Sequence, residues 1–515
     1  MAEKDERRQN RITKSKLNVT VAIGASIVAG VFSFLERVAF NRFFISDYLG
    51  LSSLFTSIIG MLSVVNLDIN GAIAYSLYEP LAKKDEEQIC AIIRLYKFVY
   101  RIMGLIILLA SFVVLPFLKF FVNTSVALAK VKLYFMIFVL RTCLGYFIGH
   151  IETLIQANQE RYKTTLTANT SWILMYIVQI LISWRTQNFL LYCLAMVFFS
   201  TVRLTANNII AKKEFPYLGK YKHVKIEKER FKRIIRNTKG LIYSRVGGFL
   251  TGASDSTLIS MFVGTATLGC YSNYSMLTKG CRNAFKILPQ AVTASLGDAG
   301  ITESKHDLSN MLHTMHVAGF LIYGLLTVVL INMANPFVRT FFGPDRTLPS
   351  SSVMLTCWVF FAFCQKSVLS TFKDSLGLYW ENRWRPIVAS IINLISSIIL
   401  GRRIGLNGIL IGTLLSYLYS FILEPLMVLH LGVHTSAIYY FISSIGHILL
   451  TALLMQFTLF VNSFLPFTGL VEIIAKAVTS FAITVAAFFI IYRKSPEAKV
   501  IIKVIKKAFR KKKKS

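Results

Sequence analysis

The chain has 515 residues, of which 54% are apolar and 16% charged, with a mean hydropathy of +0.57. A soluble protein keeps about a quarter of its residues charged, so this composition excludes water as the solvent for most of the chain. The net charge of +32 lies mostly in short loops and the two tails. That distribution orients membrane helices, and nucleic-acid binding is set aside.

The apolar runs are roughly twenty residues long, enough to cross about 30 Å of hydrocarbon as helices, whereas barrel strands would be alternating stretches of about ten. Helical runs also satisfy their backbone groups internally, as lipid requires. In chain order they predict spans at 17–39, 50–77, 96–118, 131–155, 167–184, 188–209, 240–263, 266–290, 312–333, 350–372, 386–401, 404–428, 438–461 and 470–492. The fold class is an all-α polytopic membrane protein of about fourteen transmembrane helices, with twelve as the alternative count, the pair 386–401 and 404–428 being the least separable. The first run follows a basic region, continues from Leu17 to Leu35 and lacks an A-x-A cleavage site. It reads as a span and not as a removed signal.

With the N-terminus inside, the inner loops and tails hold roughly forty Lys and Arg against about ten in the outer loops, which places both termini in the cytoplasm. The organisation is a basic N-terminus at 1–16, a six-helix lobe at 17–210 and a basic linker at 211–239. A second six-helix lobe at 240–428, an extra helix pair at 429–492 and a basic tail at 493–515 follow. Apolar residues interleave with the tail's lysines, so it is read as an amphipathic segment on the anionic inner leaflet or as a topogenic signal alone.

The two lobes repeat weakly. Leu115-Pro116-Phe117-Leu118-Lys119-Phe120-Phe121 matches Asn335-Pro336-Phe337-Val338-Arg339-Thr340-Phe341 about 220 residues later. Leu49-Gly50 matches Leu268-Gly269, and Lys84-Asp85 matches His306-Asp307, at nearly the same offset. Roughly six spans separate the copies, so the repeat is parallel, and in transporters such lobes flank the substrate path.

Ionisable groups at membrane depth are costly and are functional candidates by default. The first lobe offers Glu36, Arg37, Asp68, Arg101, Arg141, Glu152 and Arg203; the second offers Arg245, Asp255, Lys279, Arg282, Lys366 and Glu424. Arg101, Lys279, Arg282 and Glu424 lie near predicted span ends, where snorkelling accounts for them. Structural ion pairs compete with function for the deeper ones, although Arg245 and Asp255 are about 15 Å apart along one helix and cannot pair within it. The surplus of cations suits an anionic substrate, because guanidinium binds phosphate bidentately.

The seven cysteines form no C-x-x-C pair and no Cys/His cluster, and His150, His313, His316 and His430 lack metal-like spacing. Neither a metal site nor a disulfide framework is indicated. No G-x-S-x-G, H-E-x-x-H, P-loop or G-x-G-x-x-G signature supports catalysis.

Ser15-Lys16-Leu17-Asn18-Val19, Leu49 to Phe55 and Ala72 to Ala82 resemble the first spans of bacterial polysaccharide repeat-unit flippases. These are the lipid-linked oligosaccharide exporters for O-antigen and capsule, in the multidrug/oligosaccharidyl-lipid/polysaccharide superfamily. Ser254 to Ser260 and Leu268-Gly269-Cys270-Tyr271-Ser272-Asn273-Tyr274 resemble the seventh and eighth spans of that family, and the likeness extends to about residue 430. The resemblance implies a two-lobed bundle in the bacterial inner membrane that moves an undecaprenyl-diphosphate-linked oligosaccharide to the outer leaflet.

On that reading Arg37, Arg141, Arg203, Arg245 and Lys366 attract the diphosphate. Asn273 stands in the family's Y-S-N-Y motif, and Asp255 matches its seventh-span acid and binds a coupling proton or cation. Asp68 is the second ion-coupling candidate, displaced two residues, about 200° of helix, from the family's usual acid. No cofactor is expected beyond a proton or cation gradient. Partners are the lipid-linked glycan, membrane lipids, and a polysaccharide polymerase with glycosyltransferases. Alternatives are a drug exporter of the same superfamily, which would want an acidic and aromatic cavity, and a membrane-embedded glycan polymerase or ligase, which would want a large external loop.

Overall fold

The computed structural model describes residues 2–63, 69–221, 254–285, 303–378, 380–433, 435–500 and 503, and among these no strand occurs. The helices are α1 (Ala2–Phe43), α2 (Ser46–Leu62), α3 (Ile69–Lys83), α4 (Glu86–Val114), α5 (Leu118–Phe121), α6 (Leu128–Ile148), α7 (Glu152–Ala157), α8 (Arg161–Arg185) and α9 (Phe189–Glu214). After α10 at 254–262 come α11 (Thr265–Phe285), α12 (Lys305–Phe342), α13 (Ser350–Ser375), α14 (Arg385–Met427), α15 (Ile438–Ser463) and α16 (Gly469–Tyr492). Side-chain caps start several of them. Asp85 accepts from the Gln88 amide at 3.0 Å, Asn188 from that of Leu190 at 2.9 Å, and Ser304 from that of Asp307 at 3.2 Å.

Ten helices among the described residues are long and apolar enough to cross a membrane. The expected fourteen differ from that number for physical reasons. Arg385–Val433 counts once although it contains two legs, α11 is less apolar, and α10 is described over only part of its predicted span. The run expected as one helix over 50–77 is two, α2 and α3, with 64–68 between them outside the described residues.

The chain divides into two compact units, 1–249 with 264–266, and 250–263 with 267–515. In the first, α1 lies along α8, α6 packs on α4 and α9, and α3 touches α4 and α7. Its aromatic core stacks Tyr48 on Phe189, with ring centroids 4.3 Å apart, and sets Phe40 edge-on to Tyr192 at 5.1 Å. Offset and edge-to-face pairs of this kind add to the stabilisation from buried area.

In the second unit α12 packs against α13, α15 and α16. The last helix pair is therefore part of this unit's packing. On α16 the apolar side chains Val471, Ile474, Val478, Phe481, Val485 and Phe489 point outward, while Ser480 and Thr484 are fully buried. Lipid is as apolar as leucine, so association in a membrane relies on close packing and polar contacts. Here Asn332 Nδ2 donates to Thr458 Oγ1 at 2.8 Å, and Asn462 Nδ2 donates to Asn332 Oδ1 at 2.7 Å and to Ser480 Oγ at 2.9 Å. Asn332→Leu should lower the stability of the detergent-purified protein by about 1 kcal/mol, read from its unfolding midpoint, because it removes the two hydrogen bonds that tie Thr458 and Asn462 to α12.

Helix α14 turns back on itself. Ile404 (φ −127°, ψ 20°) and Gly405 (φ 60°, ψ −134°) break it into legs at 385–403 and 406–427. The second lies in the left-handed region that glycine enters without penalty. Ser397 Oγ donates to the Ile409 carbonyl at 3.2 Å and Ser396 Oγ to the Gly412 carbonyl at 3.4 Å, so the legs run antiparallel and the two spans expected here are distinct.

The three sequence matches fall at corresponding places. Leu49-Gly50 and Leu268-Gly269 lie in the first turns of α2 and α11, and Lys84-Asp85 and His306-Asp307 at the starts of α4 and α12. The two Pro-Phe stretches sit where α4 passes into α5 and where α12 ends.

Candidate functional site

Each unit carries its own polar cluster, partly buried in the first. In the first, the break between α6 and α7 brings Glu152 into the helix layer. Arg203 Nη1 lies 2.8 Å from Glu152 Oε1, which also accepts from Asn207 Nδ2 at 2.8 Å; Thr167 Oγ1 donates to Asn207 Oδ1 at 2.6 Å. Tyr96 and Tyr100 both donate to Asn70 Oδ1, and the Tyr96 hydroxyl lies 3.1 Å from Thr153 Oγ1. Asn70, Tyr100, Glu152, Gln156 and Arg203 line a cavity of about 280 Å³.

Arg141 stands beside this cluster. Its Nε donates at 3.1 Å to Ser200 Oγ, one turn before Arg203 on α9, and the two guanidinium groups lie within Coulombic reach of each other. Arg37 sits further along the unit, next to Glu36, whose carboxylate accepts from the Tyr192 hydroxyl at 2.5 Å. The carboxylate and the guanidinium interact electrostatically, and Arg37 does not line the cavity of Arg203.

In the second unit Asp255 on α10 is held across the α14 hairpin. Its Oδ2 accepts from Thr413 Oγ1 at 3.0 Å and its Oδ1 from Asn393 Nδ2 at 3.3 Å. Ser254 Oγ donates to Asn393 Oδ1 at 3.1 Å. Among the described residues its hydrogen-bond partners are uncharged. No counter-ion among these partners neutralises the carboxyl group.

Lys366 lines a different cavity, of about 310 Å³, with Gln365, Tyr417, Glu424, His316 and His447. Its Nζ lies 5.4 Å from the centre of the Tyr417 ring. Both amide atoms of Gln365, Glu424 Oε2 and His447 Nδ1 are buried there without hydrogen-bond partners. Snorkelling was the expectation for Glu424, and the structure corrects it. The residue is fully buried, and its Oε1 takes Ser370 Oγ at 2.8 Å, Arg385 Nη2 at 3.1 Å and Lys373 Nζ at 3.9 Å. The span end faces protein, so a counter-charge replaces the headgroup.

Arg101 and Lys279 are exposed, and Arg282 lies over the Phe363 ring at 4.3 Å. Asn273 is fully buried on α11, beside Tyr274, whose hydroxyl donates to Asn335 and accepts from the Leu348 amide at 3.0 Å. Arg245 and Asp68 lie outside the described residues. No cluster of His, Cys, Asp and Glu among the described residues has the makings of a metal site. A search for charges alone overlooks Asn70, Tyr96, Asn207, Asn393 and Thr413. Their signal is subtler: uncharged hydrogen-bonding groups recurring inside apolar runs.

The two helical units, with their long apolar helices, define a polytopic membrane protein. The solved lipid II flippase MurJ, in an inward closed conformation, is similar in fold, with TM-score 0.59 at 15% identity over 92% of this chain and 99% of that one. An inward-facing multidrug resistance MATE family transporter of the MOP superfamily is similar at TM-score 0.61 and 12% identity, over 79% and 98%. Residues 15–291 match the family described as polysaccharide biosynthesis protein, more than half of the chain, and the chain belongs to that family. None of the curated proteins matches it in sequence.

Proposed function

We propose that the protein is a flippase carrying an undecaprenyl-diphosphate-linked oligosaccharide from the cytoplasmic to the outer leaflet of the bacterial inner membrane, for surface-polysaccharide biosynthesis. The observation that carries this reading is the pair of guanidinium groups Arg141, on α6, and Arg203, on α9, the first bonded to Ser200 one turn before the second. Glu152 offsets one of these charges and a serine hydroxyl the other only in part. A remaining cation at this depth costs several kcal/mol unless an anion joins it, and a diphosphate meets two guanidinium forks well.

Lys366 supplies a third cation, on its own cavity wall. Alternating access would expose the first unit's cluster to each side in turn, with the lipid tail left in the bilayer. The basic loops and tails support a topology with both termini in the cytoplasm. A proton or cation bound at Asp255 supplies the coupling, and a polymerase with glycosyltransferases supplies and consumes the substrate.

The reading is tested by Arg141 and Arg203, each replaced by Ala and by Lys, at matched membrane levels. Surface glycan should fall about tenfold or more for each Ala variant, equivalent to about 1.4 kcal/mol. Lys should restore part of it, since an ammonium keeps the charge and loses the fork. Wild-type glycan in all four variants would remove the diphosphate-binding role.

A further inference from the structure

Helix α3 carries two opposed faces. Ile73, Leu77 and Pro80 are buried on one, and the helix packs on α4 and α7. Gly71, Ala74, Tyr75 and Tyr78 recur at i, i+3, i+4 and i+7, so they share the other. Gly71 and Ala74 stand in the wall of the cavity of about 280 Å³ that Asn70, Glu152 and Arg203 also line. Tyr75 and Tyr78 continue the same face beyond it, 64% and 53% exposed. At 1.5 Å of rise per residue, Tyr75 lies about 6 Å and Tyr78 about 10 Å along the helix from Gly71. Residues as small as Gly71 and Ala74 put no bulk between the cavity and the two rings.

The rings form a corner, with centroids 6.3 Å apart and planes at 77° to each other. Neither hydroxyl has a hydrogen-bond partner among the described residues. The only charged residues on α3, Glu79 and Lys83, pair with each other at 2.8 Å, so the helix brings no net charge to the corner. Tyrosine offers a large rigid apolar face and a polar tip at low entropic cost. A pyranose ring is the matching ligand. The C–H groups of its face lie against an aromatic ring, and its hydroxyls reach the phenolic oxygens.

We infer that Tyr75 and Tyr78 are the platform for the sugars next to the diphosphate, a specificity-determining pair for the glycan. The inference rests on the flippase reading above. It adds what the guanidinium groups do not supply, because they meet the phosphates and are indifferent to what the phosphates carry. Tyrosines serving only as interfacial anchors would treat a lipid with its sugar and the same lipid without it alike.

The test uses the full-length protein in detergent, with native mass spectrometry reading undecaprenyl diphosphate with and without one N-acetylglucosamine. Wild-type protein should bind the sugar-bearing lipid about tenfold tighter than the bare one. In the double variant Tyr75→Leu/Tyr78→Leu that preference should fall to about twofold while the bare lipid binds as before. The double variant Tyr75→Phe/Tyr78→Phe keeps both rings and should retain a preference of about fivefold. Both side chains are exposed, so the unfolding midpoints should stay near wild type. An undiminished preference in the Leu variant would overturn the platform, and equal weakening of both lipids there would assign the tyrosines to anchoring and overturn it as well. Wild-type protein that binds both lipids equally would also overturn it, with the flippase reading left standing. Wild-type protein that binds neither lipid more tightly than a diacylglycerol would bring down that reading and the platform with it.

Discussion

Gly408→Leu should lower the stability of the detergent-purified protein by about 3 kcal/mol, the upper part of the range for overpacking a tight contact. A Cβ at Gly408 would lie 2.1 Å from the carbonyl oxygen of Leu400, a backbone atom that cannot swing aside. Gly412, four residues on, brings its leg equally close, since a Cβ there would meet Ser397 Oγ at 2.3 Å and the Ser397 amide nitrogen at 2.7 Å. The pair is a small-x-x-x-small face that lets two helices approach to backbone contact. Only the antiparallel legs at 385–403 and 406–427 require it. Gly446→Leu is the matched control, because nothing lies within 4 Å of its Cβ position. The unfolding midpoint in detergent should drop for Gly408→Leu and stay near wild type for Gly446→Leu. Equal midpoints would mean that the legs pack without a close glycine contact.

The consequence of that contact reaches the polar cluster of the second unit. Asn393 is on the first leg and Thr413 on the second, 3.1 Å apart, and both hydrogen-bond Asp255. Spreading the legs by the width of a side chain would take one of these donors out of reach. Hairpin packing and the geometry around Asp255 are therefore a single device, and Gly408→Leu should impair transport beyond what its stability loss accounts for.

Most of the helix layout was legible in the sequence, because membrane spans are selected by a one-dimensional quantity, the length of an apolar run. The break at Gly405 was legible only in part: 386–401 and 404–428 were the least separable pair of expected spans, although Arg402 and Arg403 interrupt the run there. The end of α2 at Leu62, inside the run expected over 50–77, was not legible. Glu424 was misplaced because hydropathy locates a residue along a span but is silent on whether that level faces lipid or protein. Its partners Arg385 and Lys373 are remote in sequence, and only tertiary packing brings them together. Asp255 was recognisable as a charge out of place, yet its neighbours Asn393 and Thr413 carry no charge and read as ordinary span residues. Arg141 and Arg203 were each legible, but their adjacency depends on α6 packing against α9.

The largest functional effect is expected at Asp255. Asp255→Asn keeps the size of the side chain and an oxygen for Thr413 Oγ1, while its amide group meets Asn393, which must turn its own oxygen inward to accept; the protein should still reach the membrane at wild-type levels. What is lost is the charge. In a span whose other partners among the described residues are neutral, that charge is the only feature of the cluster able to distinguish an occupied from an empty ion site. Surface glycan should fall about a hundredfold in Asp255→Asn, corresponding to about 2.7 kcal/mol, and recover only partly in Asp255→Glu, whose longer arm moves the carboxylate off Asn393. A second readout separates coupling from folding. Wild-type protein should gain thermal stability with its coupling ion, by the linkage that ties binding of the native state to its unfolding midpoint, and Asp255→Asn should gain none. Wild-type glycan in Asp255→Asn at equal membrane levels would end the coupling role. Lost glycan with the ion-dependent stabilisation intact would move the ion to another group and leave Asp255 as a positioning residue of the hairpin.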